Sequence, residues 1–271
     1  MKTSLLLVTS LAALALVASG CSSSDGSGTS GKRVQLDVKI TGGPEMKQAF
    51  TNAQGWSIAL SKVELSTGAL YFYEGATIFS WAPPKKTPRD RAWEALGVRT
   101  AWAHPGHYVP GEARGDMLTA TSVDLKAGDA ALGAGDGVSG LTRSATFTFQ
   151  SPPTGPRAAS LAGHVAVVEG TATKGGETRV FRAEIDAADV ANTKGAPQVE
   201  GCPFAEADMQ RDGTVTLAVK APLWFDQVEF DSVPKSADGK PVLVPATSIA
   251  RNQLVRGMKA GDAYAFSYAP R

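Results

Sequence analysis

The chain has few of the residues on which disulfide-rich, haem-binding or charge-driven proteins depend. It contains two cysteines, Cys21 and Cys202, and three histidines among 271 residues. If Cys21 is used for anchoring, Cys202 has no partner for an internal disulfide. The 27 basic and 26 acidic side chains nearly cancel, and no basic run is present. This balance argues against binding to nucleic acid and against electrostatic attachment to a membrane surface.

Long hydrophobic runs are also scarce, and the one that is present lies at the N terminus. It covers Leu5 to Ala18, follows the basic Lys2, and ends in small residues directly before Cys21. This order is typical of a secretory signal peptide, and the cysteine at the boundary resembles the bacterial lipoprotein signal. The run of about fourteen residues is short of the roughly twenty that span a bilayer. We predict a signal peptide over 1–20 and lipidation of Cys21; an ordinary signal peptide or a membrane anchor is the alternative.

A flexible tether is predicted after Cys21. Residues 22–31 are Ser, Gly, Asp and Thr, with no apolar side chain that could join a core. Chains of this composition behave as flexible coils. The sequence thus predicts a tether over 21–32 and one domain over 33–271, held at the cell envelope through lipid. Ser22 resembles the signal that sorts lipoproteins to the outer membrane of Gram-negative bacteria, on its periplasmic or surface face.

Alternating apolar and polar residues dominate the rest of the chain. The clearest alternating segments are 33–40, 145–149, 165–169, 180–185 and 215–219. Such alternation buries one face of a strand, and turn clusters rich in Gly, Pro and Asp separate the segments. Many short strands with frequent turns predict an all-β fold, an antiparallel β-sandwich of immunoglobulin-like or related topology with one or two short helices.

Local signals predict two hairpins and two helices within this fold. Each hairpin is a pair of alternating segments around a glycine turn: 161–173 with 177–186, and 56–66 with 69–73. One helix is predicted at 89–96. The other is capped by Ser248, carries Ile249, Leu254, Val255 and Met258 on one side, and ends near Gly257 or Gly261.

No catalytic motif has the sequence context that its chemistry requires. Residues 135–140 match G-x-G-x-x-G, but a strand pattern follows where a dinucleotide site needs a helix, so we interpret them as a flexible loop. The G-x-S-x-G and H-E-x-x-H motifs are absent, and no pair of carboxylates stands out as an acid–base couple. We therefore predict a binding protein rather than an enzyme, and a hydrolase is the less favoured class.

Two histidines lie at the ends of a Pro-Gly turn, His104-Pro105-Gly106-His107. A type II turn brings its first and fourth Cα atoms within about 7 Å, so both imidazoles could converge on one ion. Imidazole is a good ligand for copper, zinc and nickel. The third histidine, His164, lies on a predicted strand. The hypothesis is a metal site formed by His104, His107 and His164; the alternative is two exposed turn residues and a hydrogen-bonded strand residue.

Cys202 and Met209 have a spacing similar to that of a blue-copper loop. No histidine lies between them, so a trigonal site would need both of its histidines from elsewhere. We predict that Cys202 is a free, buried, structural cysteine.

Four segments share short motifs with one known family: Trp56–Leu65, Gly163–Gly170, Leu223–Asp226, and Asn252 with Ala265–Tyr268. They resemble segments of the MbnP-like proteins, which are exported copper-binding proteins. The resemblance implies a β-sandwich that binds copper through histidine and a modified tryptophan. It places His164 at a ligand position and assigns no tryptophan.

Two hypotheses of function remain open at this stage. The first is an envelope lipoprotein that acts as a binding module, with copper as the ligand. The second is a metal-free surface lipoprotein that recognises an envelope protein or a glycan, with Tyr71, Tyr73 and Tyr108 as contact residues.

Overall fold

A computed structural model describes residues 31–77 and 108–271. Within these ranges thirteen strands follow one another: β1 Arg33–Thr41, β2 Phe50–Thr51, β3 Ser57–Tyr73, β4 Ala113–Met117, β5 Thr121–Asp124, β6 Ala130–Val138, β7 Leu141–Phe149, β8 Ala166–Lys174, β9 Glu177–Ile185, β10 Gln198–Asp208, β11 Gly213–Val219, β12 Val242–Leu243 and β13 Tyr264–Pro270. Three short α-helices accompany them: α1 Ala158–Leu161, α2 Ala221–Phe225 and α3 Ile249–Met258.

Several predictions fall outside these ranges. They are the signal peptide, Cys21 and most of its tether, the helix at 89–96, and the histidines His104 and His107. In the ranges that are described, no helix is long and apolar enough to cross a membrane.

The all-β, sandwich-like fold is confirmed, and the large sheet is mixed. Most strand pairs are antiparallel, but β1–β11, β9–β12 and β10–β13 are parallel. A parallel pair needs a crossover of a dozen or more residues, and helices α2 and α3 lie in the chain between β10 and β13. The parallel pairs therefore arise from long connections, which an alternation pattern does not reveal.

Eight strands form a closed series of neighbours, and β3 closes it. The order is β3, β4, β6, β1, β11, β13, β10 and β7, after which β7 pairs with β3 again. The C-terminal half of β3 lies between β4 and β7. Its N-terminal half pairs with β8, and β9 and β12 continue the sheet from there.

The hairpin predicted across Thr67 and Gly68 is wrong, because both residues lie within the single strand β3. Thr67 pairs with β5 and β7 at once. A Cβ added to Gly68 would meet Thr148 and Gln150 at 3.4 Å, so this glycine marks the close approach of β7 rather than a turn.

The other predicted hairpin is confirmed as β8 and β9. Gly175 and Gly176 join them with φ angles of 57° and 81°, in the left-handed region that favours glycine. The first arm is shorter than predicted, since 158–161 form α1 and the strand starts at Ala166.

The loop predicted at 135–140 is also wrong, since Gly135, Asp136 and Gly137 belong to β6. A Cβ on Gly135 would lie 2.5 Å from the carbonyl oxygen of Asp116 on β4. Glycine in a strand marks such a close approach of another backbone, and here it lets β4 and β6 pair tightly.

The buried apolar side chains form one continuous core. In β1 alternate residues point into it, as predicted: Val34, Leu36, Val38 and Ile40. Aromatic rings fill its centre, where Phe147 and Tyr264 stack with centroids 4.5 Å apart. Burial of these side chains away from water holds the described strands together.

Helix α3 covers one end of this core. Ser248 caps it as predicted, since its Oγ accepts a hydrogen bond of 3.2 Å from the backbone N–H of Arg251. Leu254 and Met258 are buried as predicted, but Ile249 is 63% exposed. Ile249 therefore points away from the core, although Ala250 next to it is buried.

Candidate functional site

His164 is held by two carboxylates. It lies just before β8, with Nδ1 2.7 Å from Asp186 Oδ1 and Nε2 3.3 Å from Glu184 Oε2. The side chain is 25% exposed. Both ring nitrogens therefore face hydrogen-bond acceptors, as in the hydrogen-bonded alternative, and a metal ion would have to replace one of these contacts.

The other two predicted metal ligands, His104 and His107, lie outside the described residues. In 31–77 and 108–271, no three side chains of His, Cys, Asp or Glu stand close enough together to hold a metal ion. The copper site of the sequence analysis therefore stays a prediction.

Cys202 is a free, buried cysteine, as predicted. Its Sγ lies 3.3 Å from the carbonyl oxygen of Val199. Burial raises the pKa of this thiol to about 12, so it stays protonated at neutral pH. A protonated, enclosed thiol is neither a nucleophile nor a metal ligand.

Three tyrosines line one open groove on the surface of the sheet. Tyr71 and Tyr73 alternate on β3 and share a face, and Tyr108 reaches the same place from the segment before β4. Together with Pro110 and Thr146 they bound a concavity of about 200 Å³. The three contact residues of the second hypothesis are thus neighbours in the fold.

Hydrogen bonds fix one of these rings, that of Tyr108. The Tyr108 hydroxyl lies 2.8 Å from Ser144 Oγ, and the Ser144 hydroxyl donates to the carbonyl oxygen of Gly75 at 2.5 Å. Burial raises the pKa of Tyr73, and that of Tyr108 to about 12, so both phenols are neutral at physiological pH. The two rings form an uncharged wall.

A second concavity of about 290 Å³ adjoins the first and shares Tyr71 with it. Asp116 on β4 is the cross-strand partner both of Tyr71 on β3 and of Asp136 on β6. Directly opposite residues on neighbouring strands have Cβ atoms about 4.5–5.5 Å apart, so these three side chains form a row on one face. Arg33 lies at the far rim. We call the two concavities together the tyrosine groove, and this second one its acidic end.

Two effects raise the pKa of Asp116: burial is the larger, and the charge of Asp136 adds to it. Both disfavour the ionised carboxylate. At the opposite end of the groove the charges are paired, since Lys194 Nζ lies 3.2 Å from Glu200 Oε1. The electrostatic imbalance of the groove is therefore confined to its acidic end.

The size of the groove indicates the shape of its ligand. Pockets that enclose a small molecule measure roughly 300–1,000 Å³. The first concavity, of about 200 Å³, is smaller, and the second, of about 290 Å³, is at the lower limit of that range. Each has room for one side chain or one sugar ring. The pair suits successive units of an extended ligand better than a free small molecule.

No local pattern in the sequence indicates the carboxylate pair. Asp116 and Asp136 meet only through the register of β4 with β6, and the sequence pattern predicts a loop at 135–140. The signal that was present is the alternation in β3, which puts Tyr71 and Tyr73 on one face.

Comparison with known proteins assigns no relative. The chain matches no known family model, and no curated protein or solved structure is significantly similar to it.

Proposed function

We propose that this protein is a metal-free binding module of the cell envelope, anchored through Cys21, that holds an extended ligand along the tyrosine groove. The observation that carries the proposal is the convergence of Tyr71, Tyr73 and Tyr108 on one open surface. The anchor and the envelope location rest on the sequence pattern.

Tyrosine suits this role for a physical reason. It offers a large, amphipathic contact area with only two side-chain torsions to immobilise, so binding costs little conformational entropy. Here Tyr108 is already fixed by its hydrogen bond to Ser144. Such preorganisation leaves more of the contact energy for affinity.

Truncation of Tyr71 tests the proposal most directly, since this residue belongs to both concavities. Soluble protein comprising 31–271 is screened on an array of envelope glycans and on an array of synthetic decapeptides. For any ligand found, Tyr71→Ala should weaken binding roughly thirtyfold, the effect of a central aromatic residue worth about 2 kcal/mol.

Tyr268→Ala is the matched control. Tyr268 is also a partly buried tyrosine of the sheet, on β13, and lines neither concavity. Its truncation should leave affinity unchanged. If every ligand binds Tyr71→Ala as well as the unchanged protein, the groove is not the binding site.

Copper binding through His104, His107 and His164 is the competing hypothesis, and the resemblance to MbnP-like proteins supports it. Elemental analysis of protein purified from its native envelope tests it. Stoichiometric copper that is lost on replacing His104 and His107 together by Ala would favour copper over the groove.

A further inference from the structure

We propose that the ligand of the tyrosine groove is a basic peptide segment of a partner protein, with an Arg or Lys side chain seated at the acidic end. This inference rests on the proposed function and narrows it to one class of ligand. It is carried by the row that Tyr71, Asp116 and Asp136 form on three neighbouring strands, with Asp116 in the middle.

The acidic end matches a cation in charge and in shape. It presents two carboxylates and one guanidinium, that of the exposed Arg33, so its surplus charge is negative. A cation placed between Asp116 and Asp136 would approach both carboxylates, with Tyr71 on the far side of Asp116. Carboxylates bind Arg and Lys in strong charge-assisted hydrogen bonds, and an aromatic face attracts the same cations.

In the free protein the carboxylates of Asp116 and Asp136 repel each other, and a bound cation would remove this repulsion. Like charges directly opposite each other in a sheet are destabilising. Burial is the main cause of the raised pKa of Asp116, and the charge of Asp136 is the second. A neutral sugar would leave the two carboxylates facing one another. A basic side chain would neutralise the repulsion, so charge complementarity favours the peptide.

The remainder of the groove indicates that the cation belongs to a longer chain. Beyond Tyr71 the surface continues over Tyr73, Tyr108 and Pro110 and ends at the paired charges of Lys194 and Glu200. Aromatic-lined grooves of this kind bind extended peptides in several recognition modes. A single amine would fill the acidic end and leave these rings without a contact.

The test begins with the same glycan and decapeptide arrays. Each selected decapeptide is then synthesised in two forms, one with its Arg residues and one with every Arg replaced by the neutral isostere citrulline. Selected peptides should carry Arg or Lys, and the citrulline forms should bind about tenfold more weakly, the loss expected for a partly desolvated cation. Asp116→Asn and Asp136→Asn should each weaken binding of the Arg peptide by a similar factor and leave binding of the citrulline form unchanged.

Asp129→Asn is the matched control, since Asp129 is exposed and lies outside both concavities. The Asn variants remove a repulsion, so they should melt at or above the temperature of the unchanged protein. Weaker binding together with undiminished stability separates a ligand contact from a merely structural role.

Each contrary outcome is distinct. Uncharged peptides, or glycans, that bind in a Tyr71-dependent manner would overturn this inference and leave the proposed function standing. If basic peptides bind Tyr71→Ala and the two Asn variants as tightly as they bind the unchanged protein, this inference and the proposed function are both overturned. The same holds if neither array yields a ligand.

Discussion

Gly257 shows how one missing side chain sets the position of a helix. It lies in α3, where glycine is intrinsically worse than alanine by about 1 kcal/mol. A Cβ at this position would lie 2.4 Å from the carbonyl oxygen of Trp224 in α2. The glycine therefore allows the backbones of α2 and α3 to touch. The packing energy of this close contact outweighs the poor helix propensity of glycine.

Gly257→Ala should consequently destabilise the protein by about 1–3 kcal/mol, the usual cost of overpacking a tight contact. Asn252→Ala is the control, because Asn252 is exposed on the same helix and should gain slightly in helix propensity. Urea denaturation of both variants and of the unchanged protein measures the difference in free energy of unfolding. A Gly257→Ala protein as stable as the unchanged one would mean that α2 can move away freely.

Asp116 makes a second prediction at the scale of one residue, and its sign follows from linkage. Because the folded-state pKa is raised above its ordinary value, the folded protein holds this proton more tightly than the unfolded chain does. The contribution to stability is fully present below about pH 4 and is lost as the pH rises through the raised pKa. The groups that face Asp116 are Asp136 and Tyr71, and Arg33 lines the same concavity.

Asp116→Asn should therefore raise the free energy of unfolding at pH 7 by up to about 1 kcal/mol, the range of cross-strand pairs, and by nothing at pH 3. Thermal melts at the two pH values, with Asp129→Asn in parallel, measure the difference. A variant less stable than the unchanged protein at pH 7 would show that the carboxylate makes a favourable contact.

Among the elements, those with a purely local cause were predictable from the sequence. The alternation of β1 and the Ser248 cap of α3 each depend on a few adjacent residues, and both are found in the structure. The errors at Gly68 and Gly135 share another cause. Glycine serves both turns and close backbone contacts, and only the neighbouring strand distinguishes the two.

In the candidate site too, features with a local cause were predictable and features that depend on distant residues were not. Tyr71 and Tyr73 share a face because β3 alternates, which the sequence shows. The contact of Tyr108 with Ser144 and the register of Asp116 with Asp136 join residues far apart in the chain. Such pairings depend on topology, so a local pattern could not reveal the acidic end.

The hairpin of β8 and β9 offers a prediction at the scale of an element. Its two-residue loop holds Gly175 and Gly176 at positive φ, and no atom lies within 4 Å of a Cβ added to either. Gly175→Ala should cost about 1 kcal/mol, because alanine is strained in the left-handed region although space is available.

Gly175→Asn is the matched variant, since asparagine tolerates this region and Asn-Gly is a favoured hairpin loop. The free energy of unfolding of this variant should differ from that of the unchanged protein by only about a few tenths of a kcal/mol, because asparagine adopts the native backbone conformation without strain. Chemical denaturation of the two variants provides the comparison. Equal stability of the Ala and Asn proteins would rule out backbone strain as the controlling factor.

At the scale of the whole molecule, the groove is built on the closed series of strands rather than on loops. Its floor crosses five neighbouring strands, from β6 through β4, β3 and β7 to β10, with one groove residue or more on each: Asp136, Asp116, Tyr71, Thr146 and Gln198. Hydrogen-bonded strands hold such side chains more rigidly than loops do. The binding surface can thus be preorganised while the domain as a whole is carried by a flexible chain.

Attachment of that domain to a bilayer is predicted to depend on Cys21 alone. Each acyl methylene buried in a membrane contributes about 0.8 kcal/mol, so two or more chains on one cysteine hold a protein stably without help from its surface. Cys21→Ala should therefore move the protein from the membrane fraction to the soluble fraction, and mass spectrometry should find no acyl group on it. Cys202→Ala is the control: this cysteine is buried in the core, so its replacement should leave the protein membrane-bound. If the Cys21→Ala protein stays in the membrane fraction with its leader removed, some surface of the folded domain provides the attachment. The tyrosine groove would then be free to meet a partner only if it lies outside that surface.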